Sequence, residues 1–287
     1  MMKSTGIFIS LAVFLAASCS AGLYPKEKDV LRLVTYNVGV FDKYDESGCE
    51  AAASMMSELM PDVLILNELD SCAARTGHVD QLVVFLSQMP GYEGVFAPAL
   101  PSFQGGAYGI GQAWNSGTME VVNTFSIPLP KGDGSEPRAL VADESPADVV
   151  AGTHLDYSSK QAQLAPAMII SDTLRTLYGS SGKPVFLCGD FNAAPDSPLL
   201  DSLRLSWDVL SPVKTTYPDA KALSSMEKTP SYVEDVPGQC IDYILILSGS
   251  AEYETVAADV CVRFDSGSAL TASDHLPVYV DIRLLKD

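Results

Sequence analysis

Two short, uninterrupted apolar runs constrain this chain more than anything else in it. They are Val63-Leu64-Ile65-Leu66, two residues after Pro61, and Pro184-Val185-Phe186-Leu187-Cys188, which ends at Gly189. Apolar stretches of this length beside turn signals mark strands buried on both faces. Strand-like runs and helical patterns alternate around them. Residues 31–36 read as a first strand ending at Asn37, 50–60 as a helix stopped by Pro61, and 78–88 as a helix ended by Pro90-Gly91. Residues 92–153 are β-rich, with Gly105-Gly106, Gly132-Asp133-Gly134 and Ser145-Pro146 as turns. A long helix is expected over 158–178, helix and loop over 195–228, and closing strands over 241–247, 256–264 and 278–284. No Pro/Gly linker divides the chain, which predicts one domain over 30–287.

The first residues carry a different message. Lys3, an apolar run over 7–17 and then Ala16-Ala17-Ser18-Cys19 read as an export signal over 1–19, too short for a membrane span. Small residues before Cys19 resemble a lipoprotein box, which predicts a lipid anchor at Cys19, a tether over 20–29, and a cell-envelope or secreted location. Ordinary cleavage near Ala21 is the alternative. Removing Lys3 and no acid takes the net charge from −18 to −19. So acidic a chain does not grip nucleic acid through phosphates, so no stable nucleic-acid complex is expected, although hydrolysis at a metal ion stays open. Five cysteines lie beyond Cys19. Cys49 and Cys72 are a plausible disulfide in an oxidising compartment, and Cys188 reads as a core residue.

The chemistry collects where strands run out into loops. Asn37 follows the first strand and Asn67-Glu68 the second; a carboxylate there is costly to desolvate unless it is paired or holds a cation. Gly189-Asp190-Phe191-Asn192 leaves its strand through a glycine, with two polar side chains spaced to share a face. His154 ends the β-rich region, Asp242 opens a strand that is otherwise apolar, and Asp274-His275 precedes the last strand. Only three histidines exist, His78, His154 and His275, and imidazole is the side chain that titrates near neutrality. Each piece alone has a plain structural alternative: a turn asparagine, an exposed strand end, an Asx-turn, a satisfied histidine.

Taken in order, these pieces form a pattern. Thr35-Tyr36-Asn37, Asn67-Glu68, Thr153-His154-Leu155-Asp156, Gly189-Asp190-Phe191-Asn192, Ile241-Asp242-Tyr243 and Ser273-Asp274-His275-Leu276-Pro277 resemble the motifs of the endonuclease/exonuclease/phosphatase superfamily, the DNase I-like metal phosphoesterases. The resemblance spans 31–284. It implies an α/β four-layer sandwich, with two mixed sheets face to face and helices outside, acting as a monomer. It further implies that Glu68, Asn37 and Asp274 hold magnesium, with manganese as the alternative ion. Asp190 would orient or deprotonate the attacking water with Asn192, His275 would contact the phosphoryl group with its charge supported by Asp242, and His154 would stabilise phosphate oxygens. Asn67 stands where the family has glutamine, which implies an altered substrate contact. Tyr108 falls in a segment that keeps half of the family pattern, and Ala113-Trp114-Asn115-Ser116 replaces the rest. Tyr108, Arg75 and Arg138 are the residues expected to bind substrate. The substrate is a phosphodiester or phosphomonoester, with nuclease and sphingomyelinase-like readings open, since fold does not choose among them. A non-catalytic surface lipoprotein using the scaffold for binding is the competing class. It is disfavoured because every catalytic position holds a competent residue.

Overall fold

The computed structural model describes residues 22–41 and 48–285, so the expected export signal and Cys19 lie outside the described residues. Along the chain run β1 (Leu31–Asn37), α1 (Gly48–Leu59), β2 (Val63–Ser71), α2 (Gln81–Ser87), β3 (Tyr92–Phe103), β4 (Gly106–Asn115), β5 (Asn123–Leu129) and β6 (Arg138–Glu144). Then come β7 (Val149–His154), α3 (Lys160–Tyr178), β8 (Val185–Asp190), α4 (Pro198–Leu203), β9 (Trp207–Val209), β10 (Tyr217–Pro218), α5 (Ala220–Ser224) and β11 (Gly238–Gln239). The chain closes with β12 (Asp242–Leu247), β13 (Tyr253–Val260), β14 (Arg263–Phe264), β15 (Gly267–Ser268) and β16 (Val278–Leu284).

Two six-stranded sheets result, ordered β13-β16-β1-β2-β4-β3 and β5-β6-β7-β8-β12-β9. Each holds one parallel pair, β1 with β2 and β7 with β8, among antiparallel neighbours. Parallel neighbours need a crossover rather than a tight turn, and α1 and α3 supply the two crossovers. The carboxyl ends of both pairs therefore carry Asn37, Asn67-Glu68, His154 and Asp190.

The buried runs behave as their composition requires. Along β8, Phe186 and Cys188 pack with Ile65, Leu33 and Ile244 between the sheets, while Val185 and Leu187 pack with Ala167, Ile170 and Leu174 of α3. On the other side Met55 and Met56 of α1 and Leu82 and Phe85 of α2 cover the first sheet. This is the expected four-layer sandwich. Helix α2 begins at Gln81, later than predicted, because the Asp80 carboxylate caps it by accepting the Val83 amide hydrogen at 3.2 Å. Within 195–228, expected as helix and loop, Trp207–Val209 pairs with β12 as an edge strand.

Two expectations fail. Residues 22–29 are no loose tether: Tyr24 packs against Phe264 and Tyr279, Lys26 pairs with Asp62 at 2.6 Å, and Arg32 donates to the Tyr24 and Pro25 carbonyls. Cys49 and Cys72 are also unpaired. Cys49 sits half-buried at the start of α1, where it accepts a hydrogen bond from Gln88, whereas Cys72 is an exposed free thiol beyond β2.

One buried acid stands apart from the site. Asp143 of β6 is 4% exposed beside Gln112 of β4, and both its oxygens lack hydrogen-bond partners among the described residues. Burial raises its carboxyl to about 7, against a small opposing effect of Gln112. A raised carboxyl means that the folded state holds the proton more tightly than the unfolded chain. Stability therefore falls as pH climbs from about 4 to about 7, and the penalty is complete above that. Asp143→Asn should raise the unfolding free energy at pH 8 by on the order of 3 kcal/mol or less and flatten the dependence below 7. Thermal melts across this pH range check it, and a variant less stable than wild type at pH 8 would refute it.

Candidate active site

Strand register assembles the site. His154 of β7 is paired with Asp190 of β8, and Asp190 with Asp242 of β12, so three strands present these side chains in one row. In the facing sheet Asn37 is paired with Asn67. Asn67 is fully buried and stitches the sheets together: its amide donates to the Thr153 carbonyl at 2.9 Å and its oxygen accepts the Asp190 amide hydrogen at 3.2 Å. The shorter amide thus belongs to the frame between the sheets, and Asn67 does not line the cleft.

Backbone strain marks the same places. The β2–β4 register slips between Leu66 and Leu69, and Glu68 takes a φ of 59° in that irregularity. Asn192 has a φ of 49°. Side chains rarely adopt this region, and non-glycine residues held there gather at functional sites. Gly189 has a φ of 146°, and a Cβ on it would overlap the Thr153 carbonyl oxygen. Only glycine lets β8 run this close beside β7 and still deliver Asp190.

The polar contacts interlock. The Asn37 amide group donates to Glu68 Oε1 at 3.2 Å and to Asp190 Oδ2 at 3.0 Å, while its oxygen accepts the Gly39 amide hydrogen at 3.1 Å. Turning the amide over would set its oxygen against two carboxylates, so this orientation is the favourable one. Asn37, expected as a metal ligand, here bridges and orients the two acids. Asn192 donates its backbone N–H to Asp190 Oδ1 at 2.8 Å and its amide to the Leu155 carbonyl at 3.1 Å. His275 Nδ1 meets Asp242 Oδ2 at 2.9 Å, leaving Nε2 at 3.7 Å from Asp190 Oδ2. His154 Nε2 approaches the same oxygen at 3.5 Å.

Burial acts oppositely on the two imidazoles. Burial favours neutral His275, but Asp242 and Asp190 outweigh it and raise its pKa to about 10. His154 is held neutral, first by burial and then by the Arg138 cation. Donors face both ring nitrogens: Arg138 Nη1 lies 3.3 Å from Nδ1, and the Asn192 amide nitrogen lies 3.1 Å from Nε2. Asp190 itself is pushed up to about 7 by burial and by its neighbour Asp242. Asp190, Asp242 and His275 could offer a metal atoms within 4.8 Å of one another. The short Nδ1–Asp242 contact occupies one ring nitrogen, so this trio is arranged first as a charge relay.

A cleft of about 400 Å³ opens over this row, lined by Glu68, Asp190, Asp274, His275, Arg138 and Tyr108 among others. Of the expected substrate residues, Tyr108 and Arg138 reach it and Arg75 does not. The Arg75 guanidinium is held by both Asp70 oxygens at 2.7 and 2.9 Å and lies 5.2 Å over the Tyr108 ring, so it buttresses Tyr108. Glu136, Tyr157, Tyr217 and Gln239 also line the cleft and were not anticipated. The Tyr217 ring lies 4.9 Å from the His275 ring, tilted to it by 50°. Asp156 organises one wall, accepting from the backbone and hydroxyl of both Ser135 and Ser158 and from the Ser159 amide at 2.6 to 3.0 Å. Its place in the His154 motif was the available signal. A larger cavity, about 1140 Å³, lies away from this chemistry, and its Lys26–Asp62 and Arg283–Glu27 charges are already paired.

The comparisons with known proteins agree with this geometry. A structure of a Bacteroides vulgatus endonuclease/exonuclease/phosphatase superposes with a TM-score of 0.68 at 16% identity, covering 90% of this chain and 100% of that one. A Bacteroides thetaiotaomicron mannosyl-6-phosphatase gives 0.64 at 16% identity, covering 88% and 99%. The human Nocturnin catalytic domain with bound sulfate gives 0.64 at 20% identity, covering 92% and 96%. No curated protein sequence matches. The family model described as Endonuclease/Exonuclease/phosphatase family matches residues 34–275, from β1 to His275. The chain therefore belongs to the endonuclease/exonuclease/phosphatase family, whose members are metal-dependent phosphoester hydrolases.

Proposed function

We propose that this protein is a magnesium-dependent phosphoesterase that cleaves a phosphodiester or phosphomonoester by direct attack of water. The row His154, Asp190, Asp242, with His275 anchored on Asp242 at 2.9 Å, carries the reading. Glu68 and Asp274 would hold the cation. Both are hard oxygen donors in one cleft whose lining contains no thiol, which suits magnesium or manganese better than a softer ion. When bound, the ion supplies positive charge against which phosphoryl oxygens can be polarised.

The remaining work falls to the protein's own groups. Asp190, as carboxylate, accepts a proton from the attacking water; the Asn192 backbone N–H holds Oδ1 and the Asn37 amide holds Oδ2, which fixes the direction of the carboxylate. Asn37 holds Asp190 and Glu68 at a fixed separation. Protonated His275 presents Nε2–H to the phosphoryl group, where it offsets developing negative charge or protonates the leaving oxygen. His154, held neutral, flanks Asp190 on its other side, its Nε2 3.5 Å from Asp190 Oδ2 and 3.1 Å from the Asn192 amide nitrogen. We further propose export and lipid anchoring at Cys19, supported by Ala16-Ala17-Ser18 before it. Among the described residues no helix is long and apolar enough to cross a membrane.

Turnover of bis-p-nitrophenyl phosphate, DNA, RNA, sphingomyelin and inositol phosphates tests the reading. At least one substrate should be hydrolysed with magnesium, with activity falling below about 1% in EDTA and returning when magnesium is restored. Absence of turnover across the panel would sink it.

A further inference from the structure

The cation best placed to receive a phosphate is already neutralised. Arg138 lines the cleft with its side chain 2% exposed, and its Nη1 contacts Glu136 Oε1 at 2.9 Å. Asp156 Oδ2 lies 3.8 Å from Nη2. Nε and Nη2 have no hydrogen-bond partner among the described residues, and both atoms are buried, so Glu136 is the carboxylate that engages the guanidinium most closely. Glu136 differs from Asp156 in one respect that matters. Asp156 is tied down by Ser135, Ser158 and Ser159, whereas Glu136 is held by Arg138 and faces the cleft. Burial raises the Glu136 carboxyl, the Arg138 cation opposes that, and the Glu68 and Asp156 charges add to it.

We propose that Glu136 is a specificity-determining residue, whose fixed negative charge beside Arg138 makes the cleft favour singly charged phosphodiesters over doubly charged phosphomonoesters. The inference rests on the phosphoesterase reading and narrows its substrate class. A phosphoryl group that approaches Arg138 must share the guanidinium with Glu136, and the repulsion it meets scales with its own charge. A monoanionic diester meets that repulsion once, a dianionic monoester twice. Glu136 offsets the Arg138 charge without removing it, so attraction for a monoanion survives.

Binding, rather than turnover, separates this role from a structural one. Dimethyl phosphate (monoanion) and inorganic phosphate at a pH where it is the dianion are titrated against wild type and Glu136→Gln by calorimetry, with magnesium and again with EDTA. Removing one charge should tighten the monoanion by about threefold and the dianion by about the square of that, on the order of tenfold. Glu136→Ala, which keeps no amide on Arg138, should show the same squared relation. A merely structural Glu136 would change both ligands by one common factor, and that result overturns the proposal. In turnover, kcat/KM for p-nitrophenyl phosphate relative to the bis-p-nitrophenyl diester should rise in Glu136→Gln by on the order of threefold. If wild type hydrolyses phosphoesters but the two ligands shift equally, only the role of Glu136 falls. If neither ligand binds and nothing turns over, both readings fall.

Discussion

His275→Ala should lower kcat/KM for the best phosphoester substrate by on the order of a thousandfold, and Asp190→Asn by as much, while both variants stay folded. The two sit on one relay. Asp242 Oδ2 grips Nδ1 at 2.9 Å, and Asp190 Oδ2 faces Nε2 at 3.7 Å. Truncating the ring removes the only imidazolium in the cleft, since His154 is held neutral. The pH profile carries the sign. His275 is raised to about 10, so its cation persists across neutrality and is lost only as pH rises through that value. Asp190 is pushed up to about 7 in the protein alone, so activity should climb as pH rises towards it; a cation held by Glu68 would move that limb lower. Asp242→Asn removes the largest effect holding the imidazolium. The His275 ring resonances should then titrate well below 10, and the alkaline limb of kcat/KM should follow them down. If the ring titration in Asp242→Asn stays where it is in wild type, the relay is wrong even if activity falls.

Why these residues were legible, and others not, follows from range. Asn37, Glu68, His154 and Asp190 each sit where an apolar run ends and His275 just before the last one begins, and a polar residue at either end of a short apolar run is a local signal. The sheet partners are not local. Nothing near Asp242 says that it is paired with Asp190, because an antiparallel partner 52 positions away is set by the packing of the two sheets. The same limit explains the misreadings. Asn67 shows the same pattern as Glu68, one position on, yet alternation turns it towards the other sheet, where it becomes a stitch. Arg75 looked free because Asp70 and Tyr108, which engage it, are brought together only by the β2–β4 pairing. Glu136 went unnoticed for the opposite reason. It follows the turn Gly132-Asp133-Gly134 and reads as an ordinary solvated acid, until Asp156 fixes the neighbouring Ser135 and Arg138 claims its carboxylate.

Arg32→Met should cost about 3 to 5 kcal/mol of unfolding free energy, a large share of the stability of a typical domain. Arg32 is fully buried on β1, and every one of its five donors is used. Nε and Nη2 fork onto the two Asp281 oxygens at 2.6 Å, Nη1 donates to the Tyr24 and Leu59 carbonyls at 2.9 and 2.7 Å, and Nη2 donates to the Pro25 carbonyl at 3.0 Å. The guanidinium also lies 4.7 Å over the Tyr279 ring. Removing it strands a buried carboxylate and three carbonyls, and an unpaired buried charge is costlier than no charge at all. The double variant with Asp281→Leu should therefore recover part of the loss, whereas Arg32→Lys, which cannot form the fork, should recover little. A second effect separates this account from a generic packing defect. Arg32 holds the backbone of residues 24 and 25 to the domain, so Arg32→Met should expose the 22–29 segment to limited proteolysis under conditions where the rest stays protected. Urea midpoints at constant m-value measure the first effect and mapping of the cleavage sites measures the second. A loss below about 1 kcal/mol, or an unchanged cleavage pattern, would mean that Tyr24 packing and the Lys26–Asp62 pair hold the segment without Arg32.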